Sequence, residues 1–190
     1  MDKQSQQYNI IYADPPWEYG DFSSRGVENK YSTMKIDDIC NLNVENIAKV
    51  DCVLFLWATF PKLPEALKVV AAWGFEYKTC AFNWVKRNKE NNGYFWGMGK
   101  WTRANSEICL LATRGKPTRI SADIHSVIDS RIREHSEKPN ITRNKIVELM
   151  GDLPRIELFA RGDREKDLFG YNALNGWDVW GNEIESDIEL

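Results

Sequence analysis

The sharpest chemical signal in the sequence is the tetrad Asp14-Pro15-Pro16-Trp17, which directly follows the apolar run Tyr8–Ala13. From average composition, an Asp-Pro-Pro-aromatic tetrad arises by chance in roughly one chain in several hundred of this length. An ordinary strand-ending turn is the plain alternative, because Pro-Pro punctuates a chain and Asp caps it. Position favours chemistry, since an α/β sheet holds its ligand where its strands end. The residue types suit one task. A conjugated amine, such as the exocyclic N6 of adenine, is a poor nucleophile because its lone pair is delocalised into the ring. Two acceptors aimed at its two N–H bonds localise that pair. Asp14 can give a carboxylate oxygen and Pro15 a backbone carbonyl, on a turn that proline stiffens. Trp17 can stack on the base, a contact worth about 1–3 kcal/mol. The proton becomes acidic once the amine is alkylated, so Asp14 or water can take it. Alignment and matched electrostatics then carry the catalysis.

The elements that position this turn are legible from periodicity. Tyr8–Ala13 reads as a strand, and residues 35–48 as one or two short helices. Cys52–Trp57 (CVLFLW) is a continuous apolar run, expected of a strand covered on both faces. Leu63, Ala66, Leu67, Val70 and Ala71 recur at helical spacing, with Pro64 near the start and Gly74 past the end. Strands are expected over Phe75–Val85 and Ile108–Thr113, and a weaker one over Ser126–Arg133. Pro139 opens a helix that Gly151 closes; Arg155–Ala160 and Trp177–Trp180 complete the strands. Strand–helix alternation of this kind implies a three-layer α/β/α domain with a mostly parallel sheet. Asp14 and Arg161 both fall at the C-terminal ends of its strands.

Composition bounds the rest. The 190 residues fit one compact domain, 1–190, with two long loops at 18–33 and 86–105, expected to be mobile, and an acidic tail over 184–190, expected to fray. No apolar stretch approaches a membrane span and the N-terminus has no signal-peptide core, so a cytoplasmic protein without membrane contact is expected. Two His and four scattered Cys, none in Cys-x-x-Cys spacing, give no metal site; the cysteines read as buried free thiols. The net charge of −3 argues against strong non-specific binding to nucleic acid. Residues 86–119, however, hold eight Lys or Arg against Glu90 and Glu107. Eight tryptophans are unusual, and those outside apolar runs are candidates for binding.

Both loops interleave aromatics with cations. The first carries Tyr19, Phe22 and Tyr31; the second carries Lys86, Tyr94, Trp96, Trp101 and Arg103. That mixture suits single-stranded or flipped nucleotides, by stacking and phosphate contact. A loop packed by its own aromatics is the competing reading. Glu107, at the start of a strand, either faces the substrate base or closes a salt bridge.

Several segments together resemble the MT-A70 family, over nearly the whole chain. Besides Asp14-Pro-Pro-Trp17, they are Tyr31-Ser-Thr-Met34, Val53-Leu-Phe-Leu-Trp57, Trp84-Val-Lys86, Lys138-Pro139, Ile156-Glu-Leu-Phe-Ala-Arg161 and the closing Trp177 to Glu183. The resemblance implies a Rossmann-like class I S-adenosylmethionine-dependent methyltransferase, permuted so that the catalytic motif is N-terminal and the cofactor strand C-terminal. It implies transfer to the N6 amine of adenine in nucleic acid, with DNA favoured over RNA, by a monomer or homodimer. Catalytic roles fall on Asp14, Pro15, Pro16 and Trp17. Lys138 is implied to meet the methionine carboxylate of the cofactor, with Phe159, Arg161, Asn182 and Glu183 nearby and the last three around its ribose. Tyr19, Tyr31, Lys86, Trp101, Arg103 and Glu107 are the candidate substrate contacts. Without the resemblance, Lys138 and Arg161 read as surface charge and Asn182-Glu183 as a turn. Two rival functions remain open from sequence: a non-catalytic nucleic-acid-binding partner of the same fold, and a methyltransferase of a free small amine.

Overall fold

The computed structural model describes residues 6–19, 33–133, 137–161, 174 and 176–190. Among them, seven strands form one sheet: β1 (Tyr8–Ala13), β2 (Ala48–Ala58), β3 (Glu76–Arg87), β4 (Ser106–Arg114), β5 (Val127–Arg131), β6 (Arg155–Leu158) and β7 (Asp178–Trp180). Their spatial order is β5-β3-β4-β2-β1-β6-β7. The β1–β2, β1–β6, β3–β5 and β6–β7 pairs are parallel, while β4 runs antiparallel to both β2 and β3. The expected mostly parallel sheet is therefore present, with β4 as the reversed strand. The reversal has a local cause. No helix lies between β3 and β4, and adjacent strands joined without a crossover pair antiparallel.

Alternation along β2 builds the three layers. Leu54, Leu56 and Ala58 face a core shared with α1 (Ile36–Cys40), α2 (Val44–Ile47) and α3 (Leu63–Ala72). Val53, Phe55 and Trp57 face the other core, with Ile146 and Met150 of α4 (Ile141–Met150). An apolar strand covered on both faces is what the CVLFLW run demands. Gly74 and Gly151, at φ +79° and +92°, follow the ends of α3 and α4 in conformations that other residues adopt only with strain. The Trp73 indole donates to the Ile39 carbonyl at 2.9 Å and ties α1 to the end of α3.

Two expectations need correction. β2 begins at Ala48 rather than Cys52; Val50 and Asp51 are exposed and Lys49 is half-buried, so this stretch has no continuous apolar pattern to reveal it. The tail does not fray. Ile188 is 5% exposed within the α1–α3 core, and Leu190 packs against it. Asp187 secures the same segment, its N–H donating to the Val179 carbonyl while its carboxylate accepts from the Val179 N–H. Two apolar anchors outweigh the three acids of 184–190 because Glu185 and Glu189 stay in solvent and Asp187 is hydrogen-bonded, while Ile188 leaves solvent. The four cysteines are free, Cys52 and Cys109 buried and Cys40 and Cys80 half-buried. No helix among the described residues is long and apolar enough to cross a membrane.

Candidate active site

One edge of the sheet gathers the chemistry. A cleft of about 210 Å³ is lined by Asp14, Pro15, Pro16, Trp17, Tyr19, Thr33, Ala58, Thr59, Glu107, Lys138 and Arg161. Asp14 follows β1, Ala58 ends β2 and Arg161 lies just beyond β6, so three parallel strands deliver their C-terminal ends here. Glu107 arrives from the start of β4, which the reversal places at the same edge.

The cleft's charges form an alternating chain. The Lys138 ammonium donates to Asp14 Oδ2 at 2.7 Å and lies 3.4 Å from Glu107 Oε2. Glu107 Oε1 accepts from Lys86. The aromatic floor supports both cations: Lys138 Nζ lies 5.7 Å from the Trp57 ring centroid and Lys86 Nζ 4.8 Å from that of Trp84. The side chains are recessed, at 9% exposure for Lys138, 15% for Glu107 and 21% for Asp14. Burial pushes the Asp14 carboxyl above the usual range, and the pull of Lys138 offsets only part of this. Burial acts the same way on Glu107, but two lysines outweigh it and hold that carboxyl low. Lys138 is held above its ordinary value: burial opposes this, and its two carboxylate partners prevail.

Backbone contacts hold the Asp14 turn. Its N–H meets the Leu158 carbonyl at 3.4 Å, the Trp17 N–H donates to the Pro15 carbonyl at 2.9 Å, and the Met34 N–H donates to the Pro16 carbonyl at 2.9 Å. A carbonyl has two lone pairs, so that of Pro15 retains acceptor capacity beside its contact with Trp17. The Trp17 indole donates to the Trp57 carbonyl at 3.1 Å, and the residue is only 7% exposed. Trp17 thus fastens the turn to the end of β2 and contributes to the cleft wall with little of its surface. Lys138 immediately precedes the Pro139 turn into α4. That helix is anchored by a buried bidentate pair, Arg143 to Glu157 of β6 at 2.6 and 2.7 Å.

The structure unites Asp14, Pro15, Pro16, Trp17, Tyr19, Glu107, Lys138 and Arg161 in one cleft. Lys86 stands behind Glu107. Glu107 closes salt bridges with Lys86 and Lys138, as one sequence reading expects, and it also lines the cleft. Glu183 pairs with Arg161, at 3.9 Å and through a parallel backbone bridge, but neither it nor Asn182 lines the cleft. Phe159 is 9% exposed and packs edge-on against Trp180 at 5.3 Å, outside the cleft. Its φ of +61° is the described non-glycine exception to negative φ, and it lets the chain turn so that Phe159 enters the core while Arg161 lines the cleft. Trp101 and Arg103 lie away from the cleft wall, Trp101 at 92% exposure and Arg103 with its guanidinium 4.8 Å from the Trp96 ring. Tyr31 and Phe22 fall outside the described residues. Sequence reasoning missed Thr33, Ala58 and Thr59. The strand-end rule that found Asp14 reaches Ala58 and Thr59, which follow the predicted strand directly; Thr59 Oγ1 lies 2.7 Å from the Tyr19 hydroxyl.

Part of the basic surplus over residues 86–119 is neutralised by acids elsewhere, through Arg87–Asp129 at 2.6 Å and Arg114–Glu45 at 3.4 Å. A second cavity of about 400 Å³ lies on the α4 face over β3 and β4. Its walls are mainly apolar, and among the described residues Arg119 is its sole charged lining side chain, with no acid–base pair.

Comparison with known proteins agrees with this geometry. The MT-A70 family profile matches residues 8–183. The chain is 34% identical to the type II methyltransferase M.MunI of Mycoplasma sp, over 97% of this chain and 82% of that protein. It is 28% identical to the N(6)-adenosine-methyltransferase catalytic subunit METTL3 of Homo sapiens, over 94% of this chain and 28% of that one. It is also 31% identical to the N6-adenosine-methyltransferase non-catalytic subunit MTB of Arabidopsis thaliana, over 70% of this chain and 18% of that subunit. A shared edge for Asp14, Lys138 and Arg161, together with a family match over nearly the whole length, places the chain in the MT-A70 family of methyltransferases.

Proposed function

We propose that this methyltransferase uses S-adenosylmethionine to methylate the N6 amine of adenine in nucleic acid, with DNA as the favoured substrate. The observation that carries the reading is the recessed Asp14–Lys138–Glu107 cluster at the foot of the Asp-Pro-Pro-Trp turn. The donor set suits such a cofactor. Its sulfonium calls for a nearby anion, which Glu107 supplies, and its amino-acid carboxylate calls for a cation, which Lys138 and Arg161 supply. Glu183, beside Arg161, has the carboxylate that a ribose diol needs. When bound, the cofactor supplies an electrophilic methyl group and leaves as the neutral thioether.

The protein's part is to hold and polarise the amine. An ionised Asp14 oxygen accepts one N–H and the Pro15 carbonyl the other, which turns the nitrogen lone pair away from the ring. Lys138 keeps Asp14 ionised enough to accept, against the burial that favours its protonated form. The alkylated amine sheds a proton, which Asp14 or water receives. Tyr19 and the 86–105 loop, with Trp101 and Arg103, contact the flanking nucleotides. DNA is favoured because M.MunI is matched along most of its own length, whereas only about a quarter of METTL3 is covered.

Methyl transfer to oligo-dA, oligo-rA and free adenosine tests the substrate class; transfer to free adenosine alone refutes the nucleic-acid reading. Calorimetry joined to turnover tests the site. Asp14→Ala is expected to bind S-adenosylmethionine and to lose at least about 10²–10³ in kcat, as expected for removal of an oriented electrostatic group. Wild-type turnover in that variant would refute the mechanism.

A further inference from the structure

The loop between β3 and β4 carries the largest apolar side chains that the fold leaves bare near the site. Trp101 is 92% exposed, Met98 90% and Trp96 71%. The loop is folded, with the Phe95 N–H donating to the Lys86 carbonyl at 2.8 Å and the Ala104 N–H to the Gly97 carbonyl at 3.3 Å. At its tip the backbone crosses itself closely: a Cβ on Gly97 would lie 2.0 Å from the Ala104 oxygen, and one on Gly99 1.9 Å from that of Thr102. The two glycines thus permit a closed tip from which Met98 and Trp101 project. The loop leaves the sheet after Lys86-Arg87 and re-enters just before Glu107, so its base is continuous with the cleft wall. Cations lie on its aromatic faces, Arg103 4.8 Å from the Trp96 centroid and Arg87 4.1 Å from that of Tyr94.

Three large apolar side chains bared on one loop mark a docking surface, and cations laid on aromatic rings complement phosphates beside stacked bases. The partner must also explain the recessed amine site. Asp14 is 21% exposed within a cleft of about 210 Å³, so a base reaches it only after leaving the stack of its neighbours. In a duplex that leaves a gap, and proteins that unstack duplexes insert apolar wedges at the opened step. Resting on the function proposed above, we infer that the substrate is duplex DNA and that Trp101, seconded by Met98, is the wedge that occupies the stack while the target adenine is in the cleft.

The test begins with unmethylated plasmid DNA, on which sequencing after reaction locates the methylated site. A synthetic oligonucleotide bearing that site is then presented paired, with the target adenine opposite an abasic position, and as a single strand. Trp101→Ala, Trp101→Phe and wild type are compared by kcat/KM. Trp101→Ala is expected to lower kcat/KM on the paired duplex by about 5- to 150-fold, the equivalent of ~1–3 kcal/mol of base stacking at about 1.4 kcal/mol per decade. The abasic duplex should restore most of the loss, and Trp101→Phe should keep most of the activity. An unchanged melting temperature is expected, because the side chain is almost wholly in solvent. Equal losses on all three substrates, or no loss, would overturn the wedge. So would wild-type activity confined to single strands or RNA, or a dimer that Trp101→Ala converts to monomer; in each of these the methyltransferase reading stands. Failure to methylate adenine in any form would instead refute that reading, and the wedge with it.

Discussion

Replacing Lys138 by Met keeps much of the side chain's volume and removes one buried charge from between two carboxylates. At an effective dielectric of about 20, contacts of 2.7 and 3.4 Å each correspond to roughly 5–6 kcal/mol of direct attraction before desolvation is counted. Breaking a buried ion pair by deleting one partner costs about 3–5 kcal/mol net. In a chain of this size that corresponds to a melting temperature lower by roughly 6–20 °C. The loss depends on pH, and its sign follows from the two carboxyls. Asp14 is raised by burial even with Lys138 present, so folding already favours its protonated form; without the cation this preference grows. Glu107 is held low by Lys138 and Lys86 and loses part of that support. Both effects weaken the fold above the ordinary carboxylate range and vanish once both groups are protonated. The deficit of Lys138→Met is therefore largest near neutral pH and shrinks on acidification. Glu107 keeps Lys86, so Asp14 is the group that takes up the proton. With saturating donor, the acidic limb of the kcat profile should move to higher pH, and activity lost at neutrality should partly return at alkaline pH. Thermal melts and kcat profiles between about pH 5 and pH 9 measure both. A deficit that does not vary with pH, with an unmoved acidic limb, would show that Lys138 contributes packing alone and would refute the role given to it.

Arg143→Met leaves Glu157, 5% exposed, without its bidentate partner, and is expected to lower stability by about 3–5 kcal/mol in urea titration. Because α4 anchors the segment that presents Lys138, the variant should also raise KM for the methyl donor; a stable variant with unchanged KM would contradict that linkage. Ile188→Ala tests the docked tail and is expected to lower stability by about 2–4 kcal/mol, within the range for truncating a buried isoleucine. A loss below about 0.5 kcal/mol, the level of a surface substitution, would return the tail to solvent.

Legibility in the sequence followed physical cause. β1 and α3 were readable because one face or both must be apolar over their whole length, and because Pro64 and Gly74 bracket α3. The polar start of β2 and end of β3 were not readable, because Lys49 and Asp51 are held by bonds to Asn9 and Lys116, and Arg87 by its ladder pairing with Arg131, none of which pattern reveals. Of the eight tryptophans, Trp96 and Trp101 are the ones left open to solvent, while Trp57, Trp73 and Trp84 are core residues whose indole N–H groups find partners. Sequence cannot separate these classes, because a binding aromatic and a packing aromatic are the same residue until the chain closes around one of them. Trp17 shows the limit most clearly. Its position beside Asp14 suggested a stacking face, and the structure gives it a buried hydrogen bond that aims the turn.

The reversed strand settles what the site can do. Had β4 run parallel to β2, its start would lie at the sheet edge away from Asp14, and Glu107 would have no access to Lys138. Running antiparallel, β4 pairs Ile108 with Ala58, the end of β2, and so places Glu107 one residue beyond that end, at the mouth of the cleft. The same reversal makes the β3–β4 connection a loop at the site edge rather than a crossover helix on the sheet face. One change of strand direction therefore supplies both the carboxylate that completes the buried charge chain and the exposed aromatic tip beside it. An insertion or deletion in residues 88–105 should accordingly separate two losses. Shortening the tip while retaining the Lys86–Asn105 backbone bond at its base should preserve donor binding and impair use of long nucleic acid. Disrupting that base should displace Glu107 and weaken both, a distinction that calorimetry with S-adenosylmethionine reads directly. Equal loss of donor binding in the two variants would show that tip and cleft act as one unit.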